Sequence, residues 1–381
     1  MKRSKLEELL IGKKGDDSSN GIDTGFKDEH GNKIGIDSFA SFLTTKKSFP
    51  SKTDILSEFT NKKTNVVKNF KPKDFEKNLF PEGSFDFNKN FFDNREYNKD
   101  YMFVGLNAAD RAGVKDYSNW KNFRDTDSPT NTYKLYVQVI EEKFRDSYIT
   151  DIIKSVIDSD SGNVMRNFFI ESNEINNGEL SLLKYPDEDD KADSKRANKL
   201  ASWQNSYYKK QRSEEYKKVG ELMGFISETY MKDKTLKEPY QYKFNYTKKL
   251  TGQQLLAQNK DILKKSVDCF VSECLVIHPK RLVVFGKAAD RVLEEMSKSP
   301  LFKTSVEERK TSDTEKKYVK DLVDKYRVEI THYAAYSLGK EEGEKGKGKV
   351  LTFKEWFEQA PEELERNIQK KEAELAELAK K

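Results

Sequence analysis

The stretch YMFVGLNAAD, residues 101–110, decides how the rest of the chain is read. Its apolar run into Gly105 has the character of a buried strand, and Asn107 and Asp110 then place polar side chains on the turn that follows. Three more segments have the same character: SYITDII (147–153), RLVVFG (281–286) and RVEITHYAA (327–335). Between the first two, SPTNTYKLYVQVIEEKFRD carries Leu135, Val139 and Ile140 behind a Ser-Pro start signal, which predicts a helix.

Over 262–280, Leu263, Val267, Phe270, Val271, Cys274 and Leu275 recur at helical spacing, and Pro279 stops the run. RLVVFG follows at once, and KAADRVLEEM opens another helix after Gly286. Helix, short loop, buried strand, glycine turn and helix is the order that builds a parallel α/β sheet. The expected fold is α/β, a three-layer αβα arrangement with a central four-stranded parallel sheet, a charged insertion and flexible termini.

The expected organisation is a polar, disordered or loosely attached segment over 1–50 and one α/β domain over 51–360. A charged insertion interrupts it at about 176–250, and a helix over 361–381 closes the chain. In that helix Leu364, Ile368, Leu375 and Leu378 would form a narrow apolar stripe. Apolar residues make up 35% of the 381 residues and charged residues another 35%. A folded chain is roughly 45–50% apolar with glycine included, so part of this one must be solvated.

No apolar run approaches the roughly 18 residues that span a bilayer, and the N-terminus lacks the uninterrupted apolar core of a signal peptide. A cytoplasmic protein is expected. Cys269 and Cys274 lie five apart in a helical pattern and do not share a face, which argues against a disulfide and against a cluster or zinc site. The net charge of +5 and pI near 8.7 permit a nucleic-acid partner without demanding one.

Ligands of an open parallel sheet bind beyond the carboxyl ends of its strands. The residues placed there are Asn107 and Asp110 after the first strand and Thr150 and Asp151 in the second. Gly286 and Lys287 follow the third, and His332, Tyr333, Tyr336 and Ser337 belong to the fourth. One of only three histidines thus falls at a strand end, beside carboxamide and carboxylate candidates. His30 and His278 have no partners at ligand spacing, and His278, before Pro279, suits the capping of a helix end.

The ordered set GLNAADR, SYITDIIK, CFVSECLVIHPKRLVVFGKAAD and ITHYAAYS resembles the uracil-DNA glycosylase superfamily. The branch it resembles is that of the single-strand-selective monofunctional uracil glycosylases. The likeness covers roughly residues 100–175 and 260–360 and leaves the insertion unmatched.

It implies a metal-independent enzyme that flips a damaged or modified base out of DNA and hydrolyses its N-glycosidic bond, with no cofactor. Asn107 would hold the attacking water, and His332 would donate to the base oxygen as negative charge builds there. Gly105, Asp151 and either Trp120 or Phe123 would surround the base, one aromatic stacking on its face. Gly286, Lys287, Tyr333, Ser337 and Lys340 would contact DNA. The wedge into the duplex would be Tyr333, Tyr336 or Leu338.

Two departures matter. Relatives carry asparagine where this chain has Asp151, and an ionised carboxylate offers acceptors only, so either specificity has shifted or Asp151 has another task, such as capping a helix. HYAAYSLGK also lacks the proline that follows the histidine in relatives. The iron–sulfur branches need four cysteines, and the chain has two. Asp110 and Arg111 read as a local ion pair. The competing expectation is a catalytically inactive protein that keeps the fold and binds nucleic acid, or a protein partner through the insertion or the C-terminal helix.

Overall fold

The computed structural model describes residues 3–12, 21–27, 31–44, 50–72, 74, 96–108, 120, 122–123, 130–157, 161, 164, 252–334, 351–378 and 380. Its strands are β1 (Ala40–Phe42), β2 (Thr60–Asn61), β3 (Val66–Val67), β4 (Asn98–Ala108), β5 (Ser147–Ile157), β6 (Arg281–Phe285) and β7 (Arg327–Ile330). The helices are α1 (Arg3–Ile11), α2 (Lys52–Phe59), α3 (Thr130–Gln138), α4 (Gly252–Ile277), α5 (Lys287–Lys298), α6 (Pro300–Glu307), α7 (Asp313–Asp324) and α8 (Phe353–Leu378).

The central sheet has five strands in the order β1-β5-β4-β6-β7, while β2 and β3 form a separate hairpin. β5, β4, β6 and β7 are mutually parallel, and β1 joins the edge antiparallel to β5. The four strands expected from the sequence are therefore the parallel members of a larger sheet. The fifth comes from the segment expected to be loosely attached. There, Leu6 and Leu10 of α1, Ile36, Phe39, Ala40 and Phe42 are all buried. Three residues carry little periodic signal, and the strand exists because it pairs with the edge of β5.

Alternation along the strands distributes side chains to two apolar clusters. Met102, Val104, Leu282 and Val284 join a cluster with Val267, Phe270 and Val271 of α4, Val292 of α5 and Val319 of α7. Phe103, Ile149, Val283, Phe285, Val328 and Ile330 join the other, with Tyr133 and Leu135 of α3 and Trp356 and Phe357 of α8. Parallel strands buried this way need apolar residues on both faces, which explains their nearly unbroken apolar runs.

Local signals set the helix ends. Ser51 with Asp54 and Ser312 with Glu315 make capping boxes at α2 and α7. Ser299 caps α6, with Pro300 at its first turn. α4 begins ten residues before the expected 262 and ends at Ile277, where His278 turns left-handed (φ 53°) ahead of Pro279. α8 begins at Phe353, not 361. Leu364 and Ile368 are buried while Leu378 is 63% exposed, so the expected stripe docks only at its first half. The insertion at 176–250 lies outside the described residues.

Candidate functional site

The chain leaves β4 for β5 on one side and crosses back to β6 on the other. The carboxyl edge of β4 is therefore a topological switch point, where an open α/β sheet presents a crevice. Gly105, Asn107, Asp151, Gly286 and His332 all belong to this edge or its immediate approach.

Gly105 lies opposite Asp151 in the β4–β5 register. A Cβ at Gly105 would stand 2.6 Å from Asp151 Oδ1 and 3.3 Å from Phe123 Cε1, so glycine is what lets the carboxylate and the ring close on the strand. Asp151 is 1% exposed. Its Oδ2 accepts a 2.8 Å hydrogen bond from Asn122 Nδ2, which also donates to the Phe39 carbonyl at 3.0 Å. Asn122 Oδ1 in turn accepts from the Phe123 amide at 3.1 Å.

The 120–123 segment is thus pinned to the β1 edge. The Trp120 amide donates to the Asp37 carbonyl, and Ser41 Oγ donates to the Trp120 carbonyl. Trp120 and Phe123 both hold left-handed backbone, at φ 65° and 64°. Such angles are costly for aromatic residues and persist where surrounding contacts enforce them. Of the two stacking candidates, Phe123 lies beside Gly105. Trp120 packs on Phe42 and Tyr148, with ring centroids 5.3 and 6.5 Å away, in the other apolar cluster. It anchors the segment.

Asn107 is partly buried, and its Nδ2 reaches the Val156 carbonyl at 3.4 Å, a long contact. Val104 pairs with Val284 and Val284 with Glu329. Asn107 lies in β4 past this register and His332 lies past the end of β7, so both stand toward the carboxyl ends of strands that β6 separates. Phe103 packs on Phe285 and Phe285 on Tyr333, with ring centroids 5.8 Å and 5.2 Å apart.

β7 ends at Ile330, so His332 lies beyond the strand and not within it as expected. Its Nδ1 accepts a 3.1 Å hydrogen bond from the Ala334 amide. A neutral imidazole that accepts at Nδ1 carries its proton on Nε2, so the ring is fixed as an Nε2–H donor. Burial, with the charge of Lys134 behind it, pushes the pKa down to about 4, and the ring is neutral at physiological pH. The imidazole stacks on Tyr333 at 4.4 Å and meets the edge of Phe285 at 6.2 Å. Gly286, at φ 85°, turns β6 into α5, and a Cβ there would stand 3.4 Å from the His332 Cβ.

Tyr333, expected at the DNA surface, is 7% exposed because its ring fills the space between Phe285 and His332. Lys287 is exposed on the first turn of α5. Asp110, Arg111, Tyr336, Ser337, Leu338 and Lys340 lie outside the described residues.

Sequence reasoning missed a buried charge network under the site. Lys154 and Glu273 are both wholly buried, with Nζ 2.7 Å from Oε2. Glu273 Oε1 accepts from Thr150 Oγ1 at 2.6 Å and Tyr148 OH at 2.8 Å. Lys154 also donates to Thr150 Oγ1 at 2.6 Å and to the Asp151 carbonyl. The visible signal was one lysine and one glutamate, each among mostly apolar neighbours in ITDIIKSVI and CFVSECLVI.

Among the described residues, no three His, Cys, Asp or Glu side chains are grouped to hold a metal ion, and no helix is long and apolar enough to cross a membrane. Compared with family models, curated proteins and solved structures, the chain matches none of them.

Proposed function

We propose that this chain is a metal-independent DNA glycosylase that hydrolyses the N-glycosidic bond of a flipped uracil or related base. The wider reading is a three-layer αβα domain whose four parallel strands carry the site. One observation supports it above the rest. His332, a neutral imidazole whose Nδ1 accepts from a backbone amide and leaves Nε2–H to donate, stands just past β7 toward the same end of the parallel sheet as the Asn107 carboxamide of β4.

In the reaction the C1′–N bond breaks with its electron pair going to the base. Water adds to C1′ and gives up a proton that ends on the departing base. His332 Nε2–H donates to the base oxygen as it gains charge, and a preorganised donor is worth most where water is excluded. The Asn107 carboxamide orients the water, which needs placement more than a strong base because the sugar is already electron-poor. Phe123 offers a face for the base, and the exposed first turn of α5 with Lys287 suits a phosphate. Asp151, held by Asn122, serves by fixing the segment that carries Phe123.

The competing reading, a DNA-binding protein without catalysis, is favoured by one observation: the Asp151 carboxylate, expected to read a base, is closed under Gly105 and Phe123. Oligonucleotides carrying uracil, hypoxanthine, xanthine or modified cytosines, single- and double-stranded, separate the two. The glycosylase releases free base from at least one of them, and His332→Ala and Asn107→Ala suppress the release. DNA binding with no base released from any oligonucleotide overturns the proposal in favour of the second reading.

A further inference from the structure

Lys134 stands on α3 and is 9% exposed, an unusual placement for a lysine that no step above uses. Its ammonium lies 4.8 Å from the centroid of the Trp356 ring, and its carbonyl accepts from Trp356 Nε1 at 3.1 Å. One turn further on, Gln138 Nε2 donates to the carbonyl of Thr331, the residue before His332, at 2.8 Å. The face of α3 that carries Lys134 and Gln138 is therefore laid against the exit of β7.

α3 connects two parallel strands and so runs back from the carboxyl edge, which puts Lys134 nearer that edge than Gln138. The charge of Lys134 is felt at the His332 imidazole. Burial lowers the pKa of the amine, and the indole face beneath it favours the charged form.

We propose that Lys134 is a positioning residue of this site, its ammonium one helical turn from the Gln138–Thr331 hydrogen bond that ties α3 to the residue before His332, where it stabilises the anion of a departing uracil-type base. The inference rests on the glycosylase reading and adds to it a second source of positive potential. A neutral imidazole alone donates one hydrogen bond. Burial first and the nearby cation second keep that imidazole from protonating, and the cation makes the same spot attractive to a developing oxyanion. The lysine does not need to touch the base, since a charge in a dry site acts over several ångströms.

The test is single-turnover release of uracil and of 5-fluorouracil, a better leaving group, from single-stranded oligonucleotides by wild type, Lys134→Met and Lys134→Arg. The Met variant is expected to lose roughly tenfold on 5-fluorouracil and roughly a hundredfold on uracil, where more charge must be stabilised. Its oligonucleotide affinity and thermal midpoint stay near wild type, and the Arg variant recovers part of the rate.

Wild-type rates in Lys134→Met overturn the inference while leaving the glycosylase reading intact. An equal loss on both bases together with a lowered midpoint also overturns it, because that is the signature of damaged packing. Release of neither base by the wild type removes the inference together with the reading it rests on.

Discussion

Replacing Lys154 with methionine removes one member of a wholly buried ion pair and keeps the volume of the side chain. In the intact protein Nζ serves Glu273, Thr150 and the Asp151 carbonyl together. After the change, Glu273 keeps its two hydroxyl donors, Tyr148 and Thr150, on Oε1 and loses its counter-charge at Oε2. Stranding one partner of a buried pair costs about 3–5 kcal/mol. With a urea m-value near 3 kcal/mol/M, a loss of about 4 kcal/mol moves the unfolding midpoint down by about 1.3 M. Urea unfolding followed by intrinsic fluorescence measures that directly.

Removing both partners, as Lys154→Met with Glu273→Leu, leaves no stranded charge and is expected to recover most of the loss. Two single variants within about 1 kcal/mol of wild type, or a double variant equal to the sum of the singles, would refute the reasoning.

Gly105→Ala pushes a methyl group to 2.6 Å from Asp151 Oδ1, and a drop of about 1–3 kcal/mol in stability is expected by thermal unfolding. Asn122→Ala removes the donor that Asp151 Oδ2 and the Phe39 carbonyl share, so a loss of about 1–3 kcal/mol is expected by urea unfolding. The folded pKa of His332 is about 4 against an ordinary 6.5, a depressed value, so its share of stability is complete above pH 6.5 and is lost as pH falls through 4. At about 1.4 kcal/mol per pH unit the gap is worth about 3 kcal/mol. Denaturation of wild type and His332→Gln across pH 7 to 3.5 should therefore converge in the acid range, and parallel curves would contradict the pKa.

The parallel strands were legible because burial on both faces writes itself as an unbroken apolar run, as in YMFV and LVVF. Their exact ends were not. β7 stops at Ile330, before the expected 335, and β5 continues through Ile157 because Lys154 is carried inside on a partner 119 residues away. No local pattern reports such a pairing. β1 was invisible for the same reason, since the three residues Ala40–Phe42 become a strand only by meeting Tyr148–Thr150.

Strand-end logic named Asn107, Asp151 and His332; the structure puts Asn107 in β4, Asp151 inside β5 opposite Gly105, and His332 just past β7. It missed Asn122, whose role depends on a left-handed turn flanked by Trp120 and Phe123. It also named Trp120 and Phe123 as equals, although the turn sends one ring into each apolar cluster. Tyr333 was expected at the DNA surface because it follows the histidine of the last motif, whereas Phe285, distant in sequence, provides the surface that buries it.

The central claim is that His332 and Asn107 act together on one glycosidic bond. Mass-spectrometric detection of free base from a single-stranded uracil oligonucleotide, under single turnover, tests it with wild type, each alanine variant and the double variant. Release by the wild type, a loss of about a hundredfold or more in each single variant, and a double variant scarcely worse than either would bear it out. Free base released at the wild-type rate by His332→Ala would contradict it.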